Sequence, residues 1–141
     1  MNSLVTNTGR QVASLYTMSK LRSFSAPARV VVAGASGGIG RALIDTLLDD
    51  PGVGRVTALS RDPVATHPER LRSAAIVFAD ESSIEAAASD CGRDVDLFIV
   101  ATGILHRPPG IQPEKRLADI DGQSMAVVLR INTIGPALLA K

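Results

Sequence analysis

Four short, mainly apolar runs divide the chain, at residues 30–32, 55–60, 74–79 and 95–100. Runs of this length with little polar alternation are typical of strands that are covered on both faces, as in a parallel sheet. Helix-like or polar segments separate the runs, so the pattern predicts alternating strands and helices. The predicted fold class is therefore α/β.

A helix is predicted directly after the first run, because apolar residues recur at helical spacing from Ile39 to Leu48. Proline and glycine within residues 49–52 end this helix. A short helix is predicted over residues 82–88 and a long one over about residues 122–141, with polar or proline-containing loops between the elements.

The turn between the first strand and its helix carries glycines in the spacing Gly-x-x-x-Gly-x-Gly, at Gly34, Gly38 and Gly40. A tight glycine turn brings backbone N–H groups and the positive end of a helix to one point, where a pyrophosphate group can sit. We expect a side chain at any of these positions to block the turn, the phosphates or the contact between helix and strand. The order of strand, glycine turn and helix is the context that makes such a motif informative.

Length and composition fit one domain with a core of ordinary size, since the chain has 141 residues, 45% of them hydrophobic. A net charge of +1 and an aromatic content of 3% argue against nucleic acid as a partner. No apolar stretch is long enough to span a bilayer, and we predict no metal site. The single cysteine, Cys91, allows no internal disulfide and favours a reducing, cytoplasmic setting.

The stretch Gly-Ala-Ser-Gly-Gly-Ile-Gly at residues 34–40 resembles the cofactor turn of the short-chain dehydrogenase/reductase family. The resemblance extends from about residue 29 to residue 141. It implies a doubly wound parallel sheet, the Rossmann fold, with four strands in the order 3-2-1-4. It also implies a nicotinamide dinucleotide cofactor. In this turn the implied cofactor contacts are Gly34, Ser36, Gly37, Gly38, Ile39 and Gly40.

Ser60 and Arg61 follow the second strand, about 20 residues after the last glycine, where an acidic residue holds the ribose 2′-hydroxyl in NAD enzymes. A serine and a guanidinium suit the 2′-phosphate of NADP instead, because arginine offers paired donors to a phosphate. Asp62 is the rival for the ribose hydroxyl, although it precedes a proline and resembles a turn residue. We predict NADP as the cofactor, with NAD as the alternative.

Two further strand ends supply the other cofactor contacts that the resemblance implies. Asp80 closes the third strand, where the family places an acid against the adenine amino group. The alternative is an N-cap for the helix over residues 82–88, and one residue can do both. Ala101, Thr102 and Gly103 close the fourth strand, where many members have Asn-Ala-Gly. The glycine matches and Ala101 lacks the usual amide, but these small residues still let a nicotinamide ribose approach the backbone.

Asn132 lies within the long predicted helix and resembles the asparagine of the family's catalytic tetrad, which sits at a helix irregularity. Pro136 has no backbone N–H and fits such a break. The alternative is a buried or capping asparagine. Residues 102–106, 112–116 and 131–139 together look most like the C-factor branch of the family, whose members have been linked to cell–cell signalling.

Residues 1–28 differ in composition, with no acidic residue before Asp45, and are predicted to be a leader or a disordered extension. An organelle import signal is the alternative. Residues 29–141 then form a partial dinucleotide-binding domain. We expect removal of residues 1–25 to leave the melting temperature nearly unchanged, because this segment lacks apolar periodicity.

Tyr16 and Lys20 match the family's Tyr-x-x-x-Lys pattern, with Ser3 upstream, but they precede the first strand. We interpret this match as chance. In the family, the catalytic serine, tyrosine and lysine follow the fourth helix, where this sequence has no residues left. The chain is therefore expected to be an N-terminal fragment that carries the cofactor half of the site.

The expected function is that of an NAD(P)-dependent oxidoreductase of the short-chain type, with Asn132 as the catalytic residue present. In an intact relative the substrate is a small carbonyl or alcohol. The alternative is a non-catalytic dinucleotide-binding module or a C-factor-like signalling module. The fourth strand is predicted to be an exposed apolar edge, at which copies of the chain could associate as a homo-oligomer.

Overall fold

Four parallel strands form a single sheet in the order β3-β2-β1-β4, which confirms the predicted doubly wound order. The structure, a computed structural model, describes residues 19–65, 69–106 and 111–141. The strands β1 to β4 are Ala28–Ala33, Val53–Ser60, Leu71–Ala75 and Leu97–Val100. The helices α1 to α4 are Gly38–Leu48, Glu81–Cys91, Gly122–Leu129 and Gly135–Ala140. A 3-10 turn, Leu117–Asp119, precedes α3, and a π-helical turn, Arg130–Ile134, joins α3 to α4.

β1 is the centre of the core, because apolar clusters cover both of its faces. Val30 and Val32 belong to the cluster on the α1 side, and Val31 and Ala33 belong to the cluster on the α2 side. These four side chains are only 0–4% exposed. A strand buried on both faces needs apolar residues at successive positions, which explains the continuous run in the sequence.

The third strand lies earlier than predicted, since β3 is Leu71–Ala75 and the prediction was residues 74–79. Ile76 and Phe78 are nevertheless buried, at 2% and 6% exposed, in the cluster on the α2 side. An apolar run indicates that the residues are buried, but it does not by itself distinguish a strand from a buried turn. The other boundaries differ by less: β1, β2 and α2 are longer than predicted, and β4 is shorter.

The long predicted helix is interrupted by the π-helical turn Arg130–Ile134, where the Gly135 N–H donates to a carbonyl five residues earlier. Pro136 cannot donate to the Asn132 carbonyl four residues before it, which accounts for the wider turn. Gly135 lets the helix pack against the segment after β3, because a Cβ at this position would lie 2.6 Å from the Phe78 ring.

β4 is an edge strand within the described residues, because it pairs only with β1, in a parallel register that begins at Val30 beside Leu97. Residues 97–99 are half-buried and Val100 is 38% exposed, so the predicted apolar edge is present. Among the described helices, none is both long enough and apolar enough to cross a bilayer.

Part of the segment that the sequence assigns to the leader packs against the domain. The Lys20 N–H donates to one oxygen of the Asp50 carboxylate at 2.7 Å, and the Gly52 N–H donates to the other at 2.8 Å. Leu21 packs against the cluster on the α1 side. Removal of residues 1–25 would delete these contacts, which argue against the expectation of an unchanged melting temperature.

Asp50 is expected to make the stability of the fold depend on pH. Burial raises the pKa of its carboxyl group, but hydrogen bonds from Gly52, Ser19, Lys20 and Leu21 outweigh burial and keep this pKa below its usual value. The contribution is complete above the unfolded-state pKa of about 3.9 and is lost as the pH falls through the lower folded-state pKa. Asp50→Asn should therefore lower the melting temperature at neutral pH and lose this effect in acid.

Asp49→Asn is the matched control, because Asp49 is the exposed neighbour of Asp50. Melting temperatures of the two variants and the unmodified protein, followed by circular dichroism from neutral pH to strongly acidic pH, measure the difference. A gap between Asp50→Asn and the unmodified protein that stays constant over this range would contradict the ionic role of Asp50.

Candidate functional site

A cleft of about 270 Å³ lies at the carboxyl ends of β1, β2 and β4. This is where ligands bind in doubly wound sheets, at the point where the strand order reverses. The turns after these strands form its wall, together with the segment after β3 and one residue of the π-helical turn. The lining residues are Gly34, Ser36, Gly37, Ser60, Arg61, Ile76, Val77, Phe78, Ala79, Ala101, Thr102, Gly103, Ile104 and Ile131.

Gly34 brings the turn after β1 against the end of β4. Its φ is +91°, a conformation that residues with a Cβ rarely adopt. A Cβ on Gly34 would lie 2.7 Å from the Ala101 carbonyl carbon and oxygen and from Thr102 Oγ1. On the other side, the Gly34 N–H donates to the Leu59 carbonyl of β2 at 2.8 Å. The three strand ends are therefore held together at this glycine.

The remaining glycines of the turn differ in what surrounds them. A Cβ on Gly40 would collide with the Gly34 carbonyl, so Gly40 lets α1 lie against the turn. A Cβ on Gly38 would have no atom within 4 Å, and one on Gly37 would meet only the Gly34 carbonyl, at 3.4 Å. Packing within the described residues therefore requires a glycine at position 40 but not at position 38.

Within the described residues, no side chain caps the N-terminus of α1, where the N-cap residue is Gly37, and its first turn has no acidic residue. By contrast, Asp80 caps α2 by accepting from the Ser82 N–H, and Asp121 caps α3 by accepting from the Ser124 N–H. Hydrogen bonds from the backbone and side chain of Ser124 hold the pKa of Asp121 below its usual value. The N–H groups and the positive end of α1 are thus left available to an anion.

Ser60 and Arg61 are neighbours on the cleft wall, but their side chains are differently placed. Ser60 is buried, and its hydroxyl donates to the Asp62 carbonyl, so its proton is already in use. Arg61 is exposed, and its guanidinium has no hydrogen bond or ion pair with any other described residue. Arg61 can therefore bind an anion directly, whereas the Ser60 hydroxyl can only accept a further hydrogen bond.

Asp80 acts as the cap of α2, and its Oδ1 accepts from the Ser82 N–H at 3.0 Å and from the Ser82 hydroxyl at 2.9 Å. It does not line the cleft. Residues 76–79 line it instead, although their apolar run predicts a buried strand and gives no sign of a place in the cleft wall. Predicted cofactor residues that line the cleft are Gly34, Ser36, Gly37, Ser60, Arg61, Ala101, Thr102 and Gly103; those that do not are Gly38, Ile39, Gly40 and Asp80.

Asn132 lies in the π-helical turn, and its amide pairs with the backbone of Ile104. The amide nitrogen donates to the Ile104 carbonyl at 2.8 Å, and the Ile104 N–H donates to Oδ1 at 2.8 Å. This pair ties the helix to the segment after β4. Tyr16 and Ser3 lie outside the described residues. No group of His, Cys, Asp and Glu side chains in the described part of the chain could hold a metal ion.

No family model and no curated protein matches the sequence. Solved structures do match. A short chain dehydrogenase family protein from Francisella tularensis subsp. tularensis has a TM-score of 0.68 at 22% identity, over 82% of this chain and 44% of that chain. The NADPH-bound carbonyl reductase from chicken fatty liver has a TM-score of 0.65 at 28% identity, over 82% of this chain and 49% of that chain.

The fold is that of the short-chain dehydrogenases. A uronate dehydrogenase variant from Agrobacterium tumefaciens, complexed with NAD, is also similar, with a TM-score of 0.55 at 20% identity over 80% of this chain and 35% of that chain. The chain spans half the length or less of each of these three structures.

The packing of Gly34 can be tested against Gly92, which also has a positive φ, of +75°, but no atom within 4 Å of an added Cβ. Gly92→Ala should lower the free energy of unfolding only through backbone strain, by about 1–2 kcal/mol. Gly34→Ala adds a collision with the backbone after β4 and should cost about 1–3 kcal/mol more. Urea unfolding measures both costs. Equal values would mean that the glycine turn does not pack against the end of β4.

Proposed function

We propose that this chain binds a nicotinamide dinucleotide and is the cofactor-binding part of a short-chain dehydrogenase/reductase. The fold, the cleft at the carboxyl ends of the strands and the resemblance of residues 34–40 support this proposal. Two of the similar structures hold NADPH or NAD. Membership in the C-factor branch is part of the proposal and is supported by the sequence pattern of residues 102–106, 112–116 and 131–139.

The observation that carries the proposal is the N-terminus of α1. It has no cap and no acidic residue in its first turn, and a Cβ on Gly38 would point into open space. These features fit a pyrophosphate, whose oxygens would accept from the free N–H groups and occupy the space beside Gly37 and Gly38. When bound, the dinucleotide supplies or accepts a hydride at its nicotinamide ring.

Gly38→Ala tests this proposal, with Gly122→Ala as its matched control. Gly38 and Gly122 are the first residues of α1 and α3, and a Cβ on either would have no neighbour within 4 Å. Neither change should lower the melting temperature, because alanine favours a helix over glycine by up to about 1 kcal/mol. Only Gly38→Ala should weaken NADPH binding, by about tenfold or more, which corresponds to 1.4 kcal/mol.

Fluorescence titration with NADPH gives the affinities of both variants and of the unmodified protein. The proposal fails if the unmodified protein does not bind NADPH, or if Gly38→Ala binds it as tightly as Gly122→Ala does.

Arg61 leads us to propose NADP rather than NAD as the cofactor. Its exposed guanidinium has no partner among the described residues and can pair with a 2′-phosphate. Arg61→Ala should remove the preference for NADPH over NADH, at a cost of about 1.5–3 kcal/mol in NADPH binding. Arg93→Ala is the control for net charge, because Arg93 is exposed and lies outside the cleft. Equal affinities of the unmodified protein for the two cofactors would exclude this role.

The catalytic part of the proposal concerns Asn132. Its side chain is fixed by Ile104, and its own carbonyl lacks the usual helical donor because of Pro136. We assign this carbonyl the role of holding a water molecule through which a proton can pass. The substrate class we propose for the whole enzyme is a small carbonyl or alcohol. The chain's only tyrosine is Tyr16, so residues 19–141 contain no tyrosine to protonate such a substrate.

The second candidate is a non-catalytic dinucleotide-binding or signalling module, whose role would need no tyrosine among residues 19–141. Oxidation of NADPH by the purified chain with aldehydes or ketones, lost in Asn132→Ala, would decide for the enzyme. We further propose a cytoplasmic location, supported by the single cysteine, and self-association through the β4 edge, supported by its exposed apolar residues.

A further inference from the structure

Thr102 carries the one buried side-chain polar atom without a hydrogen-bond partner in the described part of the chain, its hydroxyl oxygen Oγ1. Such atoms are rare in folded proteins, because a buried hydroxyl without a partner loses its hydrogen bonds to water. The hydroxyl lies at the junction of two turns of the cleft wall, since a Cβ on Gly34 would be 2.7 Å from it. Neither turn supplies a hydrogen bond to it.

Thr102 as a whole is not closed off, because the residue is half-buried and lines the cleft. Its hydroxyl oxygen, by contrast, is buried. The side chain of threonine moves between staggered χ1 positions about 120° apart.

We propose that the Thr102 side chain binds the cofactor: the hydroxyl rotates into the cleft and donates to an oxygen of the ribose–pyrophosphate backbone of the dinucleotide. This inference rests on the proposed function. The location favours that part of the ligand, because Thr102 contacts Gly34 in the same turn that leads to the uncapped end of α1. The free protein holds an unsatisfied donor and the complex satisfies it, so the new bond replaces no existing partner within the described residues.

Thr102→Val and Thr102→Ser separate the hydroxyl from the shape of the side chain. The ligands are NADPH and ADP-ribose 2′-phosphate, which has the same ribose–pyrophosphate backbone without the nicotinamide. We expect Thr102→Val to bind both about tenfold more weakly, and Thr102→Ser to bind both as the unmodified protein does. The melting temperature of ligand-free Thr102→Val should be unchanged or higher, because the variant no longer buries an unsatisfied hydroxyl. Thr102→Ala gives a second test of affinity if the valine variant does not fold.

Three results would overturn the proposal. A lower melting temperature of ligand-free Thr102→Val with unchanged affinity would show that the hydroxyl has an internal partner instead. Loss of affinity for NADPH but not for ADP-ribose 2′-phosphate would place the contact at the nicotinamide end. Unchanged affinity of Thr102→Val, in a protein whose NADPH binding is weakened by Gly38→Ala, would refute the role of Thr102 and leave the dinucleotide site intact.

Discussion

The approach of the turn after β1 to the end of β4 is the contact on which the candidate site depends. Gly34 has no Cβ, so the backbone of Ala101 can pack directly against it. The carbonyl of Leu59 accepts from the N–H groups of Gly34 and Ala35, at 2.8 and 3.0 Å, which fixes the same turn to β2. Three strand ends meet at this point, and the cleft is the space that they leave in front of α1.

The positions of the strands could be predicted because a strand buried on both faces has a continuous run of apolar residues. β1 is covered on both sides, and its successive valines show this directly. The same signal placed the third strand too late, because Ile76 and Phe78 are buried in a turn that follows β3. Because residues 76–79 follow β3 as a turn, they form part of the cleft wall. No local sequence pattern distinguishes such a buried turn from a strand.

The contacts of the N-terminal segment could not be predicted from pattern either. A single apolar residue, Leu21, has no period, and the groups that bind the Asp50 carboxylate include the backbone N–H groups of Lys20 and Gly52. Every residue except proline has a backbone N–H group, so these hydrogen bonds cannot be predicted from the residue types in the N-terminal segment. The glycine motif also predicts less than the structure shows, because it treats positions 34, 38 and 40 alike. The structure requires glycine at positions 34 and 40 for packing, whereas a Cβ at position 38 would face open space.

The dinucleotide site we propose lies at the uncapped end of α1, between Arg61 and the turn after β4. Amide chemical shifts of the ¹⁵N-labelled protein, followed during a titration with NADPH, locate the bound ligand. We expect shift changes at Gly37 to Gly40, at Arg61 and at residues 101–104, with Gly92 and Arg93 at the far end of α2 unaffected. Shift changes centred on α2 or the β4 edge, with no change in the glycine turn, would contradict binding at this site.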